Sequence, residues 1–338
     1  MEEGVLARIR TSLTAKRDVL RQWAQTAPPQ KLDEALGPIG HGALERHLAV
    51  IDDALGQAED RTIGTCTTCN EPVEASLIQM DYTACVCLEH FTEPERRSLE
   101  AELELAGAVQ RSLLPQRPPD FPGLEIAAFS RPAQIVGGDY FDFFPFAGNR
   151  HGIVISDVVG HGLSSSLIMA SLQTMLRTLT QEHASPAGLV ARINRLCLHN
   201  IQFTTFVTLF LGAFDPATRE FTYCNAGHNP PLLLRKASTE WLRPSGPAVG
   251  LTEDSVYSDR SVPLDPGDLL FLYTDGATET GSPGGELFGA RRLEALAQEN
   301  ASHPPQAFLQ AIRDGLDGFA EAAPPSDDLT MVALRVAY

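Results

Sequence analysis

The sequence predicts an α+β protein in which a helical N-terminal region precedes a larger domain built of short strands. Three observations carry this. From Leu124 onward, β-branched, aromatic and leucine-rich runs alternate with turn residues, which is the texture of strands. The runs 206–214 and 221–225 are joined by Asp215-Pro216-Ala217-Thr218, a turn sequence that pairs adjacent strands antiparallel. The helical patterns are segregated instead of alternating with every strand, which argues against a doubly wound sheet.

The elements follow in order. Residues 1 to about 60 have a helical pattern, broken at Pro28-Pro29 and near Gly37-Pro38. Leu44, Leu48, Ile51 and Leu55 recur at helical steps and share one face. A cysteine-rich segment runs from Gly64 to about Phe91. Pro94 then precedes a helix from Glu95 to Leu114, on which Leu99, Leu103, Ala106 and Leu113 form an apolar stripe. Such a stripe needs burial, against a second copy in a homodimer or against the next domain. Four prolines between Pro115 and Pro122 end it. Strands are expected at 124–129, 140–146, 152–155, 206–214, 221–225, 232–234, 268–273 and 329–336. Helices are expected at Leu163 to about Gln181, Pro186 to about Gln202, and across a third zone from Gly289 to about Ala320.

Composition excludes several functions. A net charge of −17 disfavours binding to nucleic acid or an anionic membrane, since phosphate contacts need concentrated positive charge. The longest apolar stretches fall far short of the roughly 20 residues of a membrane-spanning helix, and Met1-Glu2-Glu3-Gly4 shows no export signal. A cytoplasmic protein is expected. Four of the six cysteines fall within residues 66–87, which in the cytoplasm points to metal or thiol chemistry. Cys197 and Cys224 read as small buried residues.

The chemistry concentrates in aspartates. Asp139, Asp157, Asp275 and Asp327 or Asp328 lie at or just past the ends of apolar runs, in Gly137-Gly138-Asp139, Ser156-Asp157-Val158-Val159-Gly160-His161-Gly162, Tyr273-Thr274-Asp275-Gly276 and Ser326-Asp327-Asp328-Leu329-Thr330. One Asp-Gly pair at a strand end is an ordinary turn. Four at one sheet edge form a metal site whose oxygen-only ligands favour Mg²⁺ or Mn²⁺ over Zn²⁺. Two such ions about 4 Å apart would polarise a phosphoryl oxygen and acidify a water, with no nucleophile from the protein. The glycines let backbone approach closely, and those around His161 precede a helix start whose free N–H groups face the site. His161 and His228 could contact phosphate or a leaving group, though each reads first as a turn or packing residue; Arg131 could bind phosphate in a bidentate fork or serve only at the surface.

Residues 112–337 resemble the SpoIIE-type branch of the PPM (protein phosphatase 2C-like) family of metal-dependent serine/threonine phosphatases. The matching segments are Leu113-Leu114-Pro115, Arg131-Pro132-Ala133 through Val136-Gly137-Gly138-Asp139-Tyr140-Phe141-Asp142, the Ser156–Gly162 motif, Asn225-Ala226-Gly227-His228-Asn229-Pro230-Pro231, Pro266-Gly267-Asp268 through Gly276, Leu287-Phe288-Gly289 and Asp327-Asp328-Leu329-Thr330. The resemblance implies an αββα sandwich of two antiparallel sheets flanked by helices, with two Mn²⁺ or Mg²⁺ ions at one edge. By position, Asp157 would bridge both ions, the Val158 carbonyl would add a ligand, and Asp139, Asp275 and Asp327 would complete the site. Asp157 and Asp139 would be the central catalytic pair. Asp328 ranks below Asp327, because eukaryotic relatives usually carry Asn there. Tyr140-Phe141 and Pro247-Ala248-Val249-Gly250-Leu251 depart slightly from the family pattern, and neither removes a ligand.

Cys66-x₂-Cys69, seventeen residues and then Cys87-x₂-His90 have the spacing of a structural zinc site; Cys85 is an alternative to Cys87. The segment from about Leu44 to His90 resembles the DksA/TraR-type zinc finger through Ile51, Asp52, Ala54 and Leu55, Gly64 to Val73, and Tyr82-Thr83-Ala84-Cys85-Val86-Cys87. That resemblance selects Cys87 and puts His90 in place of the usual fourth cysteine.

The expected organisation is an N-terminal helical region (1–63), a zinc finger (64–93, drawing on helix 44–60), a linker helix (94–114) and a phosphatase domain (115–338), preceded therefore by a small helical zinc-finger module. The expected function is dephosphorylation of a phosphorylated bacterial signalling protein, by resemblance a STAS-type anti-sigma-factor antagonist, under control of the zinc finger. The competing reading is a transcription-associated protein that docks on RNA polymerase. Prolines 28, 29 and 38 interrupt the long helical hairpin which that docking uses in DksA-like proteins. A third reading is a redox sensor acting through Cys66, Cys69, Cys85 or Cys87.

Overall fold

The computed structural model describes residues 14, 17–18, 21, 40–60, 65–66, 68–69, 73, 92–159, 162–180, 183–200, 206–236, 238–321, 323, 325 and 327–337. The chain divides into two compact units, Met1–Ala101 and Glu102–Tyr338.

In the first unit, helix α1 (Gly40–Glu59) buries Ile51, Ala54, Leu55 and Ala58. Their spacing is that of one helix face, and it includes the face expected from Ile51 and Leu55. Asp52 lies off that face and pairs with Arg21 at 2.6 Å.

Helix α2 (Glu93–Leu113) crosses the boundary between units. Within the second unit it buries Gly107 and Gln110, between the half-buried Leu103, Ala106 and Leu113 of the expected stripe.

The second unit contains two five-stranded antiparallel sheets. One has the order β1-β10-β9-β6-β7, from β1 (Leu124–Arg131), β10 (Leu329–Val336), β9 (Leu269–Tyr273), β6 (Leu232–Arg235) and β7 (Ser238–Trp241). The other has the order β2-β3-β4-β5-β8, from β2 (Tyr140–Phe146), β3 (Arg150–Val158), β4 (Val207–Phe214), β5 (Glu220–Ala226) and β8 (Arg260–Pro263).

Alternation along the strands sorts side chains into layers. Phe141, Phe143, Ile153, Ile155, Phe210, Leu270, Leu272, Val332 and Leu334 meet between the sheets. Tyr140, Phe144, Val154, Leu209 and Leu211 face α3 (Leu163–Leu179) and α4 (Pro186–Asn200), packing on Met169, Leu172, Leu176, Leu189 and Ile193. Cys197 and Cys224 are buried in this layer, where burial raises both thiols to about 11. Leu269, Phe271, Met331 and Ala333 face α5 (Gly289–Asn300) and α6 (Pro305–Ala320), packing on Leu293, Phe308 and Ile312. The result is helix, sheet, sheet, helix.

The structure refines several expectations. The strand expected at 152–155 runs from Arg150 to Val158, so Asp157 lies inside it, opposite Thr208 of β4. The third helical zone is two helices, because Pro304 and Pro305 cannot continue α5. Arg335 donates to the Ala301 and His303 carbonyls just past the end of α5, at 2.6 and 2.7 Å. β7 and β8 were not expected: both are short edge strands with mostly exposed polar residues, and a strand without an apolar face has no periodic signal. Among the described residues, no helix is long and apolar enough to cross a membrane.

Candidate metal centre

The alternation that builds the inter-sheet core also builds the site. Asp139 and Asp157 continue the register of Phe141, Phe143, Ile153 and Ile155, so both belong to the inner face of their sheet. Thr274, Asp328 and Thr330 continue the inner register of Leu270, Leu272, Val332 and Leu334. Apolar side chains fill this interface until the strands end, and there acids replace them.

Thr274 ties the two sheets together. Its hydroxyl donates to Asp139 Oδ2 at 2.8 Å and accepts the Thr330 amide at 2.9 Å. The other oxygen of Asp139, Oδ1, is buried without a hydrogen-bond partner. A buried carboxylate oxygen without a donor is costly, and a cation satisfies it.

Asp275 and Glu279 lie one helical turn apart, and together with Asp327 they offer carboxylate oxygens that lie within 4.8 Å of one another. The Glu279 amide donates to the Asp275 carbonyl at 2.7 Å, which fixes that spacing. Glu279 was not singled out from the sequence. Its signal was the four-residue step from Asp275, the spacing of a single turn of chain.

Crowding shifts the acids upward. Burial, reinforced by Asp275, Asp327, Asp328 and Glu279, raises Asp157 to about 7. Burial, reinforced by Asp327 and Glu279, raises Asp275 to about 6. Asp139 lies well above the usual carboxylate range, first through burial and then through Asp157 and Asp328. These carboxylates repel one another, and the electrostatic remedy is a polyvalent cation with hard oxygen ligands.

Asp328 does something different from its neighbour. Its Oδ1 accepts the Ala133 amide at 2.7 Å and its Oδ2 accepts the Gly138 amide at 2.6 Å. Both oxygens are engaged by the loop leading into Asp139, so Asp328 anchors that loop. Asp327 faces Asp275 and Glu279 instead. A Cβ on Gly137 would lie 2.3 Å from Asp328 Oδ2, and one on Gly138 would lie 2.7 Å from the Val158 carbonyl. The Gly-Gly pair is therefore required by close approach on both sides.

Residues 147–337, more than half of the chain, match the family model of Stage II sporulation protein E (SpoIIE). The chain belongs to the SpoIIE family. Its second unit is a PPM-type serine/threonine phosphatase domain. The chain is 31% identical over 261 residues to protein IcfG of Synechocystis sp., covering 69% of this chain and 41% of IcfG. It is 28% identical over 242 residues to phosphoserine phosphatase RsbU of Bacillus subtilis, covering 71% of each. The chain thus spans less than half of IcfG and about two-thirds or more of RsbU. The SiaA-PP2C domain of Pseudomonas aeruginosa superposes with a TM-score of 0.63 at 22% identity, over 71% of this chain and 98% of that one; at this identity the likeness is one of fold.

The other candidates fall around the SpoIIE-type site as follows. His228 is buried, shares a 2.8 Å hydrogen bond with Thr208 through Nδ1, and is lowered by burial to about 3; it is a neutral packing residue. Arg131 pairs with Asp317 at 3.4 Å. His161 lies outside the described residues. So do Cys85, Cys87 and His90. Of the expected zinc ligands, Cys66 is buried and Cys69 exposed, and Cys66 Sγ accepts the Thr68 amide at 3.4 Å.

Proposed function

We propose that the protein is a Mn²⁺- or Mg²⁺-dependent phosphatase acting on phosphoserine or phosphothreonine of a signalling protein, under the control of its N-terminal unit. The observation that carries this reading is the convergence of mutually raised carboxylates at the open end of the inter-sheet core, with Asp139 Oδ1 lacking any donor. Asp139, Asp157, the Val158 carbonyl, Asp275, Glu279 and Asp327 would hold two ions. When bound, the ions supply a polarised phosphoryl oxygen and an acidified water.

The chain's own residues place these ligands. Thr274 fixes one oxygen of Asp139 and leaves the other for the metal. Asp328 holds the Gly137-Gly138 turn against Val158. Gln110 of α2 grips the Gly137 peptide from the other side: its Nε2 donates to the Gly137 carbonyl at 2.5 Å and its Oε1 accepts the Gly137 amide at 3.0 Å. Positioning of this kind lets a metal site act without reorganising.

The family resemblance and the phosphoserine phosphatase RsbU support a phosphoprotein substrate of the anti-sigma-factor antagonist type in a bacterial cytoplasm. We further infer a structural zinc held by Cys66, Cys69, Cys87 and His90 in a module spanning residues 64–93. The amide contact to Cys66 Sγ supports this, being one a metal-binding knuckle uses to orient its thiolate.

The test is hydrolysis of an aryl phosphate with and without Mn²⁺, by the wild type, by Asp157→Asn and by a fragment lacking residues 1–101, which keeps Gly107 and Gln110. Metal-dependent turnover lost in Asp157→Asn is expected. Turnover that survives this substitution would sink the metal-centre reading, and equal turnover by the fragment would sink control by the N-terminal unit.

A further inference from the structure

A cleft of about 290 Å³ opens beside the metal centre, and Asp327 belongs to both. Its other walls include Arg131 at the end of β1, Gly281, and Leu316, Asp317 and Ala320 of α6. Pockets that enclose a small ligand run from about 300 to 1,000 Å³, so this one has room for a side chain and little more. We propose that the cleft takes an uncharged, medium-sized side chain, such as leucine or methionine, from a residue close to the phosphoserine of the protein substrate. The proposal rests on the phosphatase reading above and names what that site selects.

Charge decides the class of side chain. Both terminal nitrogens of Arg131 lie 3.4 Å from Asp317 Oδ1, so the cleft's cation is already balanced by a carboxylate. Asp327 would be neutralised by the ion it holds in the proposed site, so the cleft carries no surplus charge of either sign. An acidic side chain would meet Asp317, and a basic one would meet the Arg131 guanidinium. Leu316, Ala320 and Gly281 offer apolar wall to an uncharged group, whose burial there is favourable. The shared Asp327 sets the distance: the occupant sits next to the residue being dephosphorylated.

Gly281 provides a clean test, because a Cβ there meets nothing within 4 Å and its backbone is outside the left-handed region. Gly281→Leu fills the cleft from its rim, and Ala320→Leu fills it from α6. Wild type and both variants are assayed with Mn²⁺ on an aryl phosphate, and on phosphoserine peptides in which one alanine at a time, on either side of the phosphoserine, is replaced by leucine or by aspartate. Leucine at one position should lower KM at least fivefold relative to the all-alanine peptide, and aspartate there should not. Both variants should erase that preference while leaving kcat and aryl-phosphate turnover unchanged. A preference for aspartate, no preference at all, or a leucine preference that survives both variants overturns the proposal. Wild type inactive on the aryl phosphate refutes the phosphatase reading itself, and the side-chain proposal falls with it.

Discussion

Replacing Asp157 by asparagine should make the metal-free protein more stable, although it removes a central residue of the site. Asp157 is raised from 3.8 to about 7, first by burial and then by its acidic neighbours; at 1.36 kcal/mol per pH unit this corresponds to about 4 kcal/mol of unfavourable work when the group is ionised. Between those two values the folded protein holds a proton that the unfolded chain has released, so folding stability falls as pH rises through the window. The penalty is complete above about pH 8 and fades as the pH drops towards 4. For a domain of this size, about 4 kcal/mol corresponds to roughly 8–16 °C in Tm. In thermal unfolding with chelator at pH 8, Asp157→Asn should therefore melt on the order of 10 °C above wild type. The gap should narrow at pH 5.5, and the wild-type slope with pH should be the steeper. Mn²⁺ at about one thousand times its Kd, which stabilises by about 4.1 kcal/mol, should close the gap, since the variant lacks a carboxylate proposed to hold the ions. A variant that melts at or below wild type in chelator at pH 8 would refute the claim that burial of Asp157 and repulsion from its acidic neighbours are stored in the fold.

Two further substitutions separate anchors from ligands. Asp328→Ala leaves the Ala133 and Gly138 amides without their acceptor; with charge-assisted bonds at about 1.5–3 kcal/mol each, and some repulsion relieved, urea unfolding should show a loss of about 2–4 kcal/mol. This is opposite in sign to Asp157→Asn within the same acidic cluster, and a stabilised Asp328→Ala would contradict the anchoring role. Arg177→Ala strips the partner from Asp142, which is fully buried and bound at 2.7 and 2.8 Å by the guanidinium and at 2.6 Å by the Tyr140 hydroxyl. Removing one member of a buried pair costs about 3–5 kcal/mol, and the half-exposed Arg177 places this loss near the lower figure; an unchanged urea midpoint would show that the Tyr140 hydroxyl and the Phe143 amide suffice.

The sequence determined the strands that carry an apolar face and the short acidic motifs at their ends, because both depend on local order. Runs rich in aromatic, β-branched and leucine residues made 140–146 and 329–336 legible to the residue, and the two-residue period of a strand places Asp139 on the face of Phe141 and Phe143. It could not determine which face would become the interior. Asp327 and Asp328 are adjacent, just before β10, and which one meets the loop before Asp139 depends on β10 lying between β1 and β9. Those pairings join residues nearly two hundred positions apart, as Asp328 does with Ala133. Glu279 joined the site for the same reason: its step from Asp275 is local, but its meeting with Asp327 is tertiary. The edge strands β7 and β8 were silent in the sequence, since an edge strand is held by the backbone of its neighbour and needs no hydrophobic pattern of its own.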